Sequence, residues 1–287
     1  MQNFIGCDKT LDEASFVIFG APFDSTASYR PGARFGCSAM RAESYGIETY
    51  SSYQNKDLED CAVHDSGDIE LCFGDAGIAL GQIEEFVSQL SSLLSPLSPP
   101  KIPVMLGGEH LVTLGALRAL VKKYPDLHII HFDAHADLRD DYLGAMLSHA
   151  TVMRRAWDLT GDGRIYQFGI RSGDKSEFLW GEGRVSTQKF NFMDLEKTVE
   201  KLKGKPVYFT LDLDVLDPGI FPGTGTPEAG GVSFSELLNA AKLLSKLNIV
   251  GFDMVELAPN LDPSGISTAL ACKLLRELLI LFSLKHI

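Results

Sequence analysis

The run Asp133-Ala134-His135-Ala136-Asp137, set directly after the strand-like stretch His128-Ile129-Ile130-His131-Phe132, constrains this chain more than any other feature. A second acidic pair, Asp212-Leu213-Asp214, follows another such stretch, Val207-Tyr208-Phe209-Thr210-Leu211. In an extended segment alternate side chains share a face, so Asp133, His135 and Asp137 are expected to project together, as are Asp212 and Asp214. Carboxylates crowded with an imidazole at the ends of apolar strands need a positive partner, because buried unpaired charge is very costly. A metal ion meets that need most economically, and the donors are numerous enough for two.

The rest of the chain alternates short apolar runs with amphipathic ones. Strands are predicted over 15–20, 102–106, 127–132, 164–170, 207–211 and 249–253. Helices are predicted over 78–94, 113–123, 150–159, 234–247 and 270–284, with a proline-rich stop at Ser95 to Pro100 and a loop feeding a short helix over 29–36. Strand followed by helix, repeated this often, predicts an α/β fold of three layers, α/β/α, with a central, mainly parallel sheet. No charge run, repeat or composition break divides residues 1–287, which are read as one domain. Gly107-Gly108-Glu109-His110, the 133–137 run and the 212–214 pair all follow strands. Open parallel sheets hold their ligands beyond the carboxyl ends of the strands, so these ligand-type residues are expected to meet at one edge.

Composition narrows the function. Apolar residues make up 45% of the 287 and charged residues 22%, enough for a substantial core. A formal net charge of −12 argues against general binding to nucleic acid or anionic membranes and is compatible with a cationic substrate. Cys7, Cys37, Cys61, Cys72 and Cys272 are scattered and lack C-x-x-C spacing, which predicts reduced thiols and a cytoplasmic protein. No signal peptide is expected, and no run approaches the roughly 18 apolar residues of a membrane span.

A lone Asp-x-Asp is usually a turn or helix cap. The D-x-H-x-D run, the D-x-D pair and a histidine after Gly-Gly together argue for metal. Asp133, His135, Asp137, Asp212, Asp214 and His110 offer only oxygen and nitrogen donors, which favours hard or borderline ions such as Mn²⁺ over structural zinc. Bridging carboxylates let two ions share a hydroxide near neutral pH. Neither Gly107-Gly108 nor Gly223-Thr224-Gly225 continues into a phosphate-binding signature.

Gly107-Gly108-Glu109-His110, then Asp133 to Asp137, then Thr210 to Asp214 with Pro218, Pro222-Gly223 and Gly231 beyond, resemble the three signatures of the ureohydrolases, the family of the arginases and agmatinases. The resemblance runs from Ile18 to about Pro263. It implies the arginase-like fold and two Mn²⁺ ions, with His110 and Asp137 on one, His135 and Asp214 on the other, and Asp133 and Asp212 bridging. It implies that Glu256 grips a guanidinium group, for which a carboxylate suits a planar cation, and that His149 protonates the departing amine or relays protons. It also implies a homo-oligomer, a trimer or hexamer. With that ligand set complete, His131 reads as a hydrogen-bonded core histidine and Asp253 as support for the ligands. His64, His128 and His286 read as structural or exposed, Asp140 and Asp141 as a solvated loop pair, and Asp217 as a turn residue.

Between the second motif and His149, arginases usually carry an Asn- and Ser/Thr-rich loop that holds the substrate's carboxylate and amino group. The loop here is Leu138-Arg139-Asp140-Asp141-Tyr142-Leu143-Gly144-Ala145-Met146-Leu147-Ser148. The Ser-His-x-Thr that ends it, Arg154-Arg155, and Pro31 to Gly36 resemble agmatinases, although Ala150 stands where many have glycine. The expected reaction is therefore hydrolysis of agmatine to putrescine and urea. Two alternatives remain at this stage. Arg139 could pair with a carboxylate, as in guanidinobutyrate or arginine, or the chain could be a catalytically silent relative that binds metal or polyamine.

Overall fold

The runs Phe16–Ala21, Ile102–Gly107 and Ile165–Ile170 are buried at every position, so they need cover on both faces and suit a parallel sheet. A computed structural model describes residues 2–92 and 101–283. In chain order its strands are β1 (Phe16–Ala21), β2 (Tyr50–Ser51), β3 (Lys56–Asp57), β4 (Val63–Asp68), β5 (Ile102–Gly107), β6 (His128–Phe132), β7 (Ile165–Ile170), β8 (Ser186–Lys189), β9 (Pro206–Asp212) and β10 (Asn248–Val255). Eight of them form one sheet in the order β4-β1-β5-β10-β9-β6-β7-β8, with every pairing parallel. β2 and β3 form a separate antiparallel hairpin.

The helices are α1 (Gly36–Glu43), α2 (Ala76–Ser92), α3 (Thr113–Lys123), α4 (Val152–Thr160), α5 (Lys175–Gly181), α6 (Leu195–Lys201), α7 (Phe234–Leu244) and α8 (Ile266–Ser283). Alternation along the strands feeds two cores, one on each side of the sheet. Phe16, Ile18, Phe132 and Phe209 pack with residues of α1, α6, α7 and α8. Val17, Phe19, Ile129 and Tyr208 pack with residues of α2, α3 and α4. The result is the three-layer arrangement expected from the sequence. Among the described residues no helix is long and apolar enough to cross a membrane, and all five cysteines are unpaired.

On the α2–α4 face the sheet carries a polar row. Gln167 pairs directly with His131, His131 with Thr210, and Thr210 with Asp253, so four adjacent strands each place one polar side chain at the same level. Thr187 on β8 extends the row through its pairing with Gln167. Gln167, His131, Thr210 and Asp253 are all completely buried. Asp133 and Asp212 lie two residues beyond His131 and Thr210, so the row runs just beneath the acidic strand ends.

Two strands of the main sheet escape the sequence pattern, as does the β2–β3 hairpin. Val63–Asp68 reads VHDSGD and Ser186–Lys189 reads STQK. Both lie at the sheet's edges, where backbone pairing rather than apolar content makes the strand. The short helices α5 and α6 were likewise not predicted. α4 starts at Val152, two residues after the expected start at 150, because His149–Thr151 forms a 3₁₀ turn. α7 stops at Leu244, before the expected 247, and α8 begins earlier, at Ile266 rather than 270. The proposed stop at Ser95 to Pro100 and His286 lie outside the described residues.

Gly108 permits the sharp turn after β5. A Cβ there would sit 1.9 Å from the backbone oxygen of Phe23. Gly81, on the exposed side of α2, has open space around it. We therefore expect Gly108→Ala to cost about 1–3 kcal/mol through overpacking and Gly81→Ala to gain about 0.5–1 kcal/mol of helix stability. Paired thermal melts check both: the first should lower the midpoint and the second raise it.

Candidate functional site

The acidic strand ends do converge, but not by continued extension. At Asp133 the chain turns back on itself. Asp133 Oδ1 accepts the backbone N–H of His135 (2.5 Å), and Asp137 has a left-handed backbone, φ +54°. At Asp212 the strand gives way to a 3₁₀ turn, Leu213–Val215, capped by the Asp212 side chain, whose Oδ1 accepts from Asp214 N (2.8 Å). Asp214 Oδ1 then accepts from Ala134 N (3.1 Å) and ties the two turns together. The carbonyl of Asp137 meanwhile accepts from Met153 N and Arg154 N at the start of α4. Short aspartate side chains that bond their own backbone make such turns, which is why two acidic runs of different length reach one point.

His110 arrives from the end of β5. Its Nδ1 lies 3.0 Å from Asp133 Oδ2, 3.2 Å from Asp212 Oδ2 and 3.3 Å from Asp137 Oδ2. None of these is a well-formed hydrogen bond, and Nδ1 is buried without a partner. On the other side of the ring, Nε2 meets Thr210 Oγ1 at 2.9 Å. Thr210 gives its own proton to Asp253 Oδ1 (2.7 Å), so it must accept from His110. Asp253 is anchored in turn by Tyr208 and Thr113, whose hydroxyls donate to Oδ2 at 2.7 and 2.8 Å. The network thus places the His110 proton on Nε2 and aims the Nδ1 lone pair at three carboxylates. A cation at that point resolves the repulsion.

The electrostatics agree. Burial opposes charge on His110, but Asp133, Asp137 and Asp212 outweigh it and raise its proton affinity well above the ordinary value. Burial and the charge of Asp133 push Asp137 up to about 7. Burial with Asp214 and Asp133 carries Asp212 well above the usual carboxylate range. Protons and metal ions compete for clusters of this kind. A second convergence lies beside the first: His135 Nδ1 is 2.9 Å from Asp214 Oδ2, itself a buried atom without a hydrogen-bond partner, and 3.5 Å from Asp133 Oδ1.

Among the described residues, two groups have atoms close enough to hold a metal ion: His110, His131, Asp133 and Asp137, and Asp133, His135 and Asp214. His131 fits poorly as a ligand, because its Nε2 lies 2.7 Å from Asp133 Oδ2 and its Nδ1 3.0 Å from Gln167 Nε2. Both its nitrogens are engaged within the polar row. Asp212 belongs with the first group through its contact with His110 Nδ1. The six residues singled out from the sequence therefore meet, and the donor set suits metal.

A cavity of about 260 Å³ opens above them, lined among others by Asp137, Arg139, His149, Asp174, Glu177 and Glu256. Glu256 follows β10 in a left-handed conformation, φ +67°, and its Oε1 accepts from His110 N (2.7 Å). Burial and the neighbouring Glu109 raise its proton affinity well above the ordinary range. His149 presents Nε2 3.3 Å from Ser28 Oγ, stacks edge-on against Tyr142, and leaves a buried Nδ1 without a partner. Thr151 secures the loop before it, accepting from Ser148 N (3.0 Å) and donating to Met146 O (2.8 Å). Ala150 lines the cavity wall. Arg139 faces Asp174 Oδ2 at 2.5 Å and Glu177 Oε2 at 3.5 Å, with its guanidinium 4.8 Å from the Tyr142 ring.

Several residues with bland expectations have structural partners. His64 Nδ1 bonds Lys9 O (2.7 Å), and His128 is buried beside Arg164. Asp217 accepts from the backbone of Gly219, Gly230 and Gly231. Asp140 is paired with Arg155 (2.7 Å) rather than simply solvated, and Asp141 accepts from Gly144 N. Thr210, Gln167, Asp174 and Glu177 have no role assigned from the sequence. Thr210 and Gln167 carried a usable signal, since each is a polar residue within an apolar strand and must be satisfied there. Asp174 and Glu177 carried none, because they reach the cavity only through the turn after β7.

The sequence profile of the Arginase family matches residues 14–281. The chain belongs to that family. It is 47% identical to an agmatinase of Bacillus anthracis over 281 residues, 96% of this chain and 95% of the relative. An agmatinase of Bacillus subtilis is 46% identical, with 97% and 96% covered. The solved agmatine ureohydrolase of Thermoplasma volcanium superposes with a TM-score of 0.88 at 36% identity, covering all of this chain and 97% of that one. The fold is that of the arginase family, and the chain is a ureohydrolase similar to agmatinases.

For this family member, Thr210→Val should leave the His110 Nε2–H without an acceptor and free the ring to turn. Loss of such a supporting bond typically weakens metal affinity about 10–100-fold. A Mn²⁺ titration of the variant against the parent checks this, with an unchanged dissociation constant as the contrary result.

Proposed function

We propose that the protein is a binuclear manganese hydrolase that cleaves the guanidinium group of agmatine to give putrescine and urea. The observation that carries this proposal is the sharing of the buried Asp133 by both groups of donor side chains, beneath a cavity lined by their members His110, His135 and Asp137 and by Glu256. His110 and Asp137 would hold one ion, His135 and Asp214 the other, with Asp133 and Asp212 between them. Oxygen and nitrogen donors without thiolate favour Mn²⁺. Two such ions supply a hydroxide nucleophile near neutral pH and stabilise developing charge.

The chain's own residues bind and orient the substrate around that centre. Glu256 has one oxygen committed to His110 N and the other free to accept guanidinium N–H bonds. A cation against it supplies the charge balance that its burial demands. Burial and His135 lower the pKa of His149 to about 4, so its imidazole is neutral near pH 7. A neutral imidazole with a free ring nitrogen can take up a proton there from the attacking water and pass it on to the departing amine. Asp137 completes the catalytic group as one of the ligands that line the cavity.

The cavity's charge supports agmatine over substrates that bear a carboxylate. Arg139, the side chain most able to bind a carboxylate as in guanidinobutyrate or arginine, is turned onto Asp174 and Glu177. Apart from its histidines, the remaining ionisable groups lining the cavity are acidic. A cationic amine is the better occupant, and the agmatinase names of the relatives point the same way. The presence of His149, Glu256 and all six donors speaks against a catalytically silent relative. Unpaired cysteines support a cytoplasmic setting, and the resemblance supports a trimer or hexamer of one domain per chain.

Urea release by Mn²⁺-loaded protein from agmatine, arginine and 4-guanidinobutyrate tests this directly. We expect agmatine to be preferred by at least about tenfold in kcat/KM, a lower bound for a site in which the wrong substrate leaves polar groups unpaired, and chelation to abolish turnover until Mn²⁺ is restored. Preference for either carboxylate-bearing substrate would overturn the assignment of the substrate. His110→Ala and Asp133→Ala should lose metal and activity together. His149→Ala should keep its metal and lose mostly kcat; full turnover across pH would refute its role in proton transfer.

A further inference from the structure

Three side chains on neighbouring strands lead from the edge of the sheet to Asp133, the carboxylate common to both donor groups. Thr187 on β8, Gln167 on β7 and His131 on β6 occupy directly paired positions. Thr187 Oγ1 donates to Gln167 Oε1 at 2.9 Å. The amide nitrogen of Gln167 therefore points inward, where it donates to Ala136 O (2.6 Å) and lies 3.0 Å from His131 Nδ1. A flipped amide would set its oxygen against Ala136 O, two acceptors face to face, so the orientation is determined. An amide nitrogen can only donate, so His131 Nδ1 accepts and the ring's proton sits on Nε2. That proton faces Asp133 Oδ2 at 2.7 Å, while Asp133 Oδ1 receives the backbone N–H of His135. Both oxygens of Asp133 are thus oriented by donors from the chain itself.

We propose that Gln167 and His131 are positioning residues: Gln167 fixes the tautomer of His131, and His131 holds Asp133 in the orientation in which it meets the metal. Despite its closeness to the donors, His131 touches the ligand and not the ion, because neither nitrogen has a lone pair to spare. The opposite tautomer would aim a lone pair at the carboxylate and a ring N–H at the amide NH₂, two repulsive contacts in a fully buried row. This inference rests on the proposed metal centre.

The test is Mn²⁺ titration by calorimetry, with bound metal counted by elemental analysis, on the parent and on His131→Gln, His131→Leu and Gln167→Leu, each checked for folding by thermal melt. His131→Leu should bind Mn²⁺ about 10–100-fold more weakly. His131→Gln, whose amide can still donate to Asp133, should recover most of that loss. In Gln167→Leu, ¹⁵N NMR of the labelled imidazoles should show that His131 no longer holds the Nε2–H form alone. Parent-like affinity in His131→Leu would overturn the proposal. So would a His131→Gln variant as weak as the Leu variant, since that would make the imidazole itself a ligand. A parent that binds no Mn²⁺ would overturn the metal centre as well, a result distinct from the other two.

Discussion

The hydrogen bond from Thr210 to Asp253 governs much of this structure. By committing the threonine's only proton to a buried carboxylate, it turns the hydroxyl oxygen into an acceptor for His110. That choice sends the free lone pair of His110 toward Asp133, Asp137 and Asp212. Asp253 is itself enclosed by hydroxyls from β9 and from the start of α3. The orientation of one imidazole at the sheet's edge is therefore decided one layer down, among residues that never reach the cavity. In a low-dielectric interior such a network rigidifies when every member is satisfied, and is costly if one is not.

The same logic extends along the row. Asp253, Thr210, His131 and Gln167 sit at paired positions on four parallel strands, so the register of the sheet, set by apolar alternation on both faces, also sets which polar groups can meet. A slip of one residue in β6 or β9 would exchange polar for apolar across the sheet and scatter the acidic turns. Core packing and site geometry are one constraint here. The acidic turns add a second level. Asp133 and Asp212 each bond their own backbone, and Asp214 joins the two turns, so the donors are assembled by short local bonds on top of a rigid platform.

Much of this was legible in the sequence. The strand-helix alternation gave the three layers, and the acidic runs pointed to the edge where they meet. The conformation of those runs was less accessible. Alternation predicted that Asp133, His135 and Asp137 share a face by extension, whereas side-chain bonds to the backbone bend the chain at that point. Edge strands such as Ser186–Lys189 gave no apolar signal, although one of them supplies Thr187 to the polar row. Arg139 shows a different limit. Its position suggested a reader of carboxylates, but its partners Asp174 and Glu177 come from the start of α5, 35 and 38 residues further along the numbering. No local pattern announces that neutralisation, and it changes which substrate charge the cavity favours.

The proposed centre is tested most directly by anomalous diffraction at the manganese absorption edge from crystals grown with Mn²⁺. Two peaks are expected, one between His110 Nδ1, Asp137 and Asp133, the other between His135, Asp214 and Asp133, with His131 outside bonding distance of both. A single peak, or a peak bonded to His131 Nε2, would contradict the two-ion site built around Asp133.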